Sequence, residues 1–457
     1  MKERAMANSV RNNNALPSIK ISDHFYRRAK KIIPSVTQTL AKGPQQHVDG
    51  VAPKYLERGK GAHVWDVDGN EYLDYSMGIG PISLGYCFDR VDDAIRAQLE
   101  NGITFSLMHP LEVEVAELIN QVIPNAEAVR FSKTGADVTS AAVRLARAYT
   151  GRTKVLCCGY HGWHDWYISV TDRNAGIPQA VSDMTFTFSY NDIQSVLDAV
   201  DDDVAAIILE PFVIEEPQRG FLKDLREVCT RHGIVLIFDE MWTGFRIALG
   251  GAQEYFDVRA DLACFSKAVA NGMPLSILTG KWDIMRLLEH EVFFFTTFGG
   301  EALSLAAAKL SILCMIEEEV SLAIYEKGKV LKHGFNEIVR AEGVDFCECK
   351  GYECRTAIQF NPKAGDPLLM KSYLQQELIR RGILWNGFHN LSFSHTYEDI
   401  IYTLDCYREI LPGMQRALKA GKLAELLEGT PVAQVFRKTG NFNTKPRMAV
   451  PAGLNEK

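Results

Sequence analysis

The rhythm of apolar and polar positions changes three times along the chain. From Gly61 to Tyr75 apolar and polar residues alternate around the turn Asp68-Gly69-Asn70, which predicts a β-hairpin. From about Arg90 to Asp283 short apolar runs take over: Val129-Arg130-Phe131, Lys154 to Cys158, Ala205 to Leu209, Ile234 to Phe238 and Leu262 to Phe265. Several are apolar at every position, as strands covered on both faces of a parallel sheet must be. Between them the segments Val138 to Tyr149 and Gly220 to His232 are amphipathic at helical spacing, so the alternation is βαβ and predicts a doubly wound α/β domain. In such a sheet ligands collect beyond the carboxyl ends of the strands. After about Ser304 the pattern turns helical through Ile338, then predicts a strand at Thr356 to Phe360 and helices at Pro367 to Arg381 and Tyr397 to Leu411, an α+β unit. The expected division is a loose arm over 1–22, a hairpin-bearing segment over 23–89 that belongs with the smaller domain, a large domain over 90–303, an α+β domain over 304–428 and an extended tail over 429–457.

Composition removes several function classes. The 457 residues carry a formal net charge of -7 with both signs interspersed, so no basic stripe offers itself to nucleic acid. No apolar run approaches the ~20 residues that span a bilayer, and the first 25 residues hold no secretory-type apolar stretch. A cytoplasmic protein is expected, with no membrane partner. Its ten cysteines form no CxxC pair, and reduced thiols are the expectation. His161 and His164 lack neighbouring ligands at a familiar spacing, so no metal is expected.

The chemistry-bearing residues fall where the apolar runs end. Lys267 follows the run Leu262 to Phe265 and precedes the flexible Asn271-Gly272, a place where a desolvated amine can form a Schiff base and shuttle a proton. A surface lysine is the plainer reading of that residue taken alone. Asp239 and Glu240 end the run Ile234 to Phe238, and burying two acids requires a cationic partner. A carboxylate there can hold a proton on a heterocyclic nitrogen and make the ring an electron acceptor; a helix N-cap is the alternative for Asp239, and Glu240 is open between orienting its neighbours and chemistry. Thr134-Gly135-Ala136 comes directly before a helical run, where backbone N–H groups can hold a phosphate. Tyr160-His161-Gly162 follows the run Lys154 to Cys158 and offers an aromatic face, although a tyrosine at a strand end is commonly packing.

Taken together, Thr134-Gly-Ala-Asp with Val143-Arg-Leu-Ala-Arg-Ala-Tyr-Thr-Gly-Arg, then Gly159-Tyr-His-Gly, Leu209-Glu-Pro, Asp239-Glu-Met-Trp-Thr-Gly-Phe-Arg, Lys267 and Thr296-Thr-Phe-Gly-Gly resemble the class III aminotransferases, in particular their glutamate-1-semialdehyde aminomutase-like branch. The resemblance runs from roughly Phe25 to Leu411. It implies a fold-type I pyridoxal-phosphate-dependent transferase: a large domain around a mostly parallel sheet with a smaller α+β domain. It also implies roles: Lys267 carrying pyridoxal 5'-phosphate, Asp239 at the ring nitrogen, Tyr160 stacked on the ring beside His161, and Thr134, Gly135 and Ala136 at the phosphate. Glu210 would support the site from the sheet, and Thr297 would reach the phosphate of the neighbouring subunit, which implies a homodimer with shared active sites.

The sequence also departs from the family. Ile33-Pro-Ser-Val-Thr-Gln-Thr-Leu-Ala-Lys-Gly lacks the arginine with which the aminomutases bind a substrate carboxylate, and Lys42 lacks the bidentate fork. Gly387-Phe-His-Asn-Leu-Ser-Phe-Ser-His lacks the arginine other members place there. Ile79 replaces an aromatic residue, and Glu215 and Glu301 replace asparagines, acids that favour hydroxyl- or amine-bearing substrates or else form structural ion pairs. The expected function is transfer of an amino group from L-glutamate to an aldehyde or ketone, with a sugar-like acceptor from amino-sugar or surface-polysaccharide biosynthesis. An intramolecular aminomutase and a non-catalytic cofactor-binding relative are the alternatives.

Overall fold

The computed structural model describes residues 15–218 and 220–433; the arm over 1–14 and the tail from 434 lie outside the described residues. The chain divides into two compact units, one formed by residues up to Asp89 together with those from Leu322, the other by Arg90–Ser321. The larger unit is built on a seven-stranded sheet in the spatial order Ala128–Ser132, Ser276–Gly280, Leu262–Phe265, Val235–Asp239, Val204–Leu209, Lys154–Cys158, Thr185–Thr187. All neighbouring pairs are parallel except those of Ser276–Gly280, which runs antiparallel to both of its neighbours. The apolar runs are these strands because helices cover both faces: all six residues of Val204–Leu209 are buried. Ser276–Gly280 and Thr185–Thr187 were not among the expected strands, since Thr, Ser and Gly dilute their hydrophobic signal, yet both are buried throughout.

Helix Gly135–Thr150 starts three residues before the expected Val138. Thr134 caps it, its hydroxyl accepting from Asp137 N while the Asp137 carboxylate accepts from Thr134 N, and Gly151 at φ 69 stops it. Its buried face, Val138, Ala142, Leu145 and Ala146, packs in the core that also holds Ile208, Ile237 and Cys264 of the sheet. Truncating Leu145 to Ala there costs about 2–5 kcal/mol.

The smaller unit draws two sheets from distant segments. Strands Leu56–Lys60, His63–Asp66 and Glu71–Asp74 form the expected hairpin region, extended in parallel by Ile383–Leu384; Cys347–Tyr352, Arg355–Phe360 and Phe388–Asn390 form an antiparallel three-stranded sheet. Three boundaries differ from expectation. Helix Lys20–Ala29 begins inside the segment read as an arm. Helix Ala302–Glu317 falls in the larger unit, so the units part at Ser321 rather than at 303. Helix Tyr397–Lys419 runs past the expected end at Leu411 and through Pro412, because buried Met414 and Ala417 hold the last turns on the core.

Candidate active site

The parallel sheet of the larger unit puts its chemical groups in a row. Leu262–Phe265, Val235–Asp239, Val204–Leu209 and Lys154–Cys158 are consecutive neighbours, and just at or beyond their carboxyl ends stand Lys267, Asp239, Glu210 and Tyr160. Neighbouring strands lie ~4.8 Å apart, so the two at Lys267 and Asp239 are separated by about the width of a small ring, and the whole row by about 14 Å.

Asp239 is 2% exposed. Its Oδ2 lies 2.8 Å from His161 Nδ1 and its Oδ1 accepts from Met241 N at 3.1 Å. His161 is itself buried, and its Nε2 is 3.1 Å from the Cys158 carbonyl. A carbonyl only accepts, so the Nε2 contact needs an N–H; an ionised carboxylate also only accepts, so the Nδ1 contact needs a second proton within the pair. His161 is thereby fixed in orientation from both sides. Glu210 accepts from Tyr160 N at 3.0 Å, and its carboxyl is raised above the usual carboxylate range, first by burial and then by the nearby charge of Asp239. A Cβ on Gly159, at φ 115, would stand 2.8 Å from Glu210 Oε2, so glycine is required for this approach. Burial, with Asp239 and Glu210 nearby, also raises the Tyr160 phenol, whose ring remains half-exposed and edge-on to Tyr167 at 5.6 Å.

Lys267 opens a short 3-10 turn with φ 42, a left-handed conformation uncommon outside glycine and found preferentially at functional sites. Its Nζ sits 4.0 Å from the centroid of the Trp242 ring. Trp242 escaped the sequence reading, although its place three residues after Asp239 was a usable signal. Asp137 was missed as well; its spacing from Thr134 is that of a capping box.

Other predicted residues have different surroundings. Glu240, also buried, accepts from the Thr243 hydroxyl and from Ala252 N and Gln253 N, and burial pushes its carboxyl up to about 7. It therefore organises the following helix. Glu301, read as either a substrate residue or part of a structural ion pair, is the N-cap of Ala302–Glu317: it accepts from Leu303 N and Ser304 N and pairs with Lys133 Nζ at 2.8 Å. Helix starts leave orphan N–H groups, and an acid three residues before Ser304 is well placed to take them. Glu215 and Thr297 are exposed. Ile79 belongs to the smaller unit, half-buried in a tight turn at φ 71.

The donor set fits pyridoxal phosphate: an amine at a strand end, a buried acid held by a histidine for the ring nitrogen, and the N-terminus of Gly135–Thr150 for the phosphate. Gly162 supports that helix start, since a Cβ there would stand 2.7 Å from the Ala136 Cβ. Among the described residues no cluster of three His, Cys, Asp or Glu is placed to hold a metal ion, and no helix is long and apolar enough to cross a membrane.

Comparison with known proteins agrees with this chemistry. The family model for aminotransferase class-III matches residues 45–393. The 3-aminobutyryl-CoA aminotransferase of Cloacimonas acidaminovorans is 34% identical over 407 residues, covering 86% of this chain and 97% of that protein. A glutamate-1-semialdehyde 2,1-aminomutase of Desulforamulus reducens is 33% identical, covering 72% and 80%. Among solved structures, the PLP internal aldimine form of FumI from Sphingopyxis sp. MTA144 superposes with a TM-score of 0.81 at 28% identity over 87% of this chain and 97% of that one. With 349 of 457 residues inside the family model, the chain belongs to the pyridoxal-phosphate-dependent class III aminotransferases.

Proposed function

We propose that this enzyme transfers an amino group from L-glutamate to a sugar-like aldehyde or ketone, acting as a cytoplasmic homodimer. The observation that carries the catalytic reading is the row of strand ends with Lys267 and the His161-bound Asp239 side by side on neighbouring strands. When bound, pyridoxal phosphate supplies a carbonyl that condenses with amines and a ring that takes up the electron pair released at the substrate carbon. Lys267 Nζ holds the cofactor, then carries the proton between the substrate carbon and the cofactor carbon. Asp239, oriented by His161, keeps a proton on the ring nitrogen. Tyr160 covers the ring face, Glu210 braces Tyr160 through its backbone, and Thr134, Gly135 and Ala136 hold the phosphate at the helix start.

The dimer reading is supported by exposed apolar side chains, Phe105, Leu107, Met108, Phe293, Phe295 and Phe298, in two stretches tied together by the Ala302 N to Ile103 O bond of 2.9 Å. Thr297 is exposed within that surface, ready to serve a second copy. The absence of arginine from both family positions, together with the exposed Glu215, supports a hydroxyl-bearing acceptor. The aminomutase relatives favour a second reading, an intramolecular amino shift on one substrate.

The purified enzyme is expected to be yellow, with its long-wavelength band lost in Lys267→Ala. L-glutamate is expected to bleach that band and release an oxo acid. Bleaching by a diamine but not by glutamate overturns the donor; isomerisation of one substrate without oxo-acid release establishes the aminomutase.

A further inference from the structure

Lys133 stands one residue before Thr134, and the transfer chemistry makes no use of it. It follows strand Ala128–Ser132, which pairs antiparallel with Ser276–Gly280 so that Ser132 lies opposite Ser276. Residue 274, just before that partner strand, is a proline with no N–H to continue the ladder, and its carbonyl accepts instead from Lys133 Nζ at 3.1 Å. The same ammonium reaches Glu301 Oε1 at 2.8 Å. Neither end of this ion pair is loose: the Lys133 side chain is 19% exposed and that of Glu301 10%. Hydrogen bonds from an ammonium are of the stronger, charge-assisted kind, and salt screens a pair this covered only weakly.

Each bond lands on a segment with a part in the site. Pro274 lies at the end of the loop that carries Lys267. That loop is left-handed at Lys267 (φ 42), Asn271 (φ 43) and Gly272 (φ 107), and Ser266 Oγ ties its neck by donating to Leu275 O at 2.7 Å. Left-handed backbone at a residue other than glycine persists only where the surroundings over-determine it, so an anchor on Pro274 bears on Lys267. Glu301 opens helix Ala302–Glu317 and ends the turn that carries Thr297: its N–H donates to Phe298 O at 3.2 Å, and Gly299 N donates to Thr296 O at 3.3 Å. Gly299 lies so close to strand Ala128–Ser132 that a Cβ on it would stand 2.9 Å from Phe131 O. One side chain thus joins the start of helix Gly135–Thr150, the Lys267 loop and the Thr297 turn.

We propose that Lys133 is a positioning residue: through Pro274 and Glu301 it holds the Lys267 loop and the Thr297 turn in register with the phosphate-binding start of helix Gly135–Thr150. The claim rests on the roles proposed for Lys267 and for Thr134, Gly135 and Ala136. Its effect is a coupling. A ligand that engages both Lys267 and the helix start gains from their fixed spacing, whereas a ligand that engages one of them gains nothing.

The full-length chain, freed of cofactor with hydroxylamine, is titrated with pyridoxal 5'-phosphate, which can engage both places, with pyridoxal, which lacks the phosphate, and with inorganic phosphate, which lacks the carbonyl. The long-wavelength band reports the first two, and calorimetry the third. Lys133→Met is expected to weaken pyridoxal 5'-phosphate about tenfold, the scale of one charge-assisted bond, while pyridoxal and inorganic phosphate stay within about twofold of the parent. Lys133→Arg, whose guanidinium can still donate to both oxygens, is expected to recover most of the loss. Lys133→Gln, polar but shorter, is expected to show the same split as Lys133→Met and decides should the latter fail to fold. Equal weakening of all three probes, or pyridoxal 5'-phosphate bound as in the parent, overturns the positioning role. Lys267→Ala keeps the two claims apart. A band that still forms in it overturns the reading of Lys267 on which the proposal rests, whereas a lost band there beside unchanged Lys133 variants overturns the positioning role alone.

Discussion

The two units use buried polar groups in opposite ways. In the larger unit each functional side chain ends its own strand of one sheet, so Lys267, Asp239, Glu210 and Tyr160 line up by topology alone. In the smaller unit the polar interior is assembled across strands: Thr356, His389 and Tyr407 bond in a chain, with Arg355 and Asn390 behind them, the bonded pairs standing 33 and 18 residues apart in sequence. The charge states do not follow that division. Burial raises Glu210 and Glu240 in the larger unit and Asp74, to about 6, in the smaller one, where Asp399 is held down to about 2: burial would raise it, but its bonds to His63 and to the Thr396 amide outweigh that. Where these acids are raised, desolvation outweighs the hydrogen bonds that partly offset it.

The largest effect that can break this contrast lies at Asp239. Asp239→Ala is expected to lower kcat by about a thousandfold, the scale of losing a group aimed at charge that develops during reaction. Single-turnover decay of the cofactor band measures it, and a loss below tenfold would remove Asp239 from the chemistry. A paired substitution sharpens the comparison. His161→Phe is expected to reduce kcat by about 10- to 100-fold, as loss of an orienting partner does. His389→Phe in the smaller unit is expected to leave kcat per folded molecule near the parent and instead cost about 1–3 kcal/mol by stranding Thr356 and Tyr407. Denaturant melts beside kinetics separate the two, and the reverse pattern would dissolve the distinction between the units.

That distinction also governs how far the sequence could be read. The larger unit's strands and the residues at their ends were legible, because covered parallel strands are apolar throughout and the chemistry sits at a fixed place relative to each run. The antiparallel Ser276–Gly280 was invisible for want of that signal. In the smaller unit local pattern identified the hairpin and Thr356–Phe360, but the partner of Glu71–Asp74 is Ile383–Leu384, a pairing across some 310 residues that no window of sequence contains. Glu301 stayed open between the substrate and a structural ion pair for a related reason: a replaced asparagine says nothing of Lys133, 168 residues away, or of the helix that begins one residue later. Glu240 was left open because two adjacent acids at a strand end give no hint that only one turns toward the helix Gly251–Phe256.

Glu240 makes a pH test. Its carboxyl moves from an ordinary 4.5 to about 7 on folding, so between those values the folded state holds the proton and the unfolded state does not. The resulting stability is fully present below about pH 4.5 and disappears as pH rises through about 7, amounting to ~3 kcal/mol at most. Glu240→Gln is expected to flatten the fall in melting temperature over that window, and an unchanged slope would show that the carboxyl is not raised.

The smallest effect lies at Glu301 and has the opposite sign. Burial alone would raise this carboxyl, but Lys133 and the Ser304 amide hold it below the usual range. Its contribution is therefore present above the ordinary carboxylate value and is lost as pH falls through the lowered one. Glu301→Ala removes an N-cap and a half-buried ion pair together and is expected to cost about 1–2 kcal/mol near neutral pH, less in acid. Lys133→Met keeps the cap, leaving Glu301 to bond Leu303 N and Ser304 N, and should cost less than Glu301→Ala. Neither change is expected to alter the ratio of kcat/KM for hydroxylated over plain aldehydes, because both Glu301 oxygens are already engaged by the protein. A shifted ratio with unaltered stability would return Glu301 to the substrate, and would mean that the helix start is capped by something else when the enzyme works.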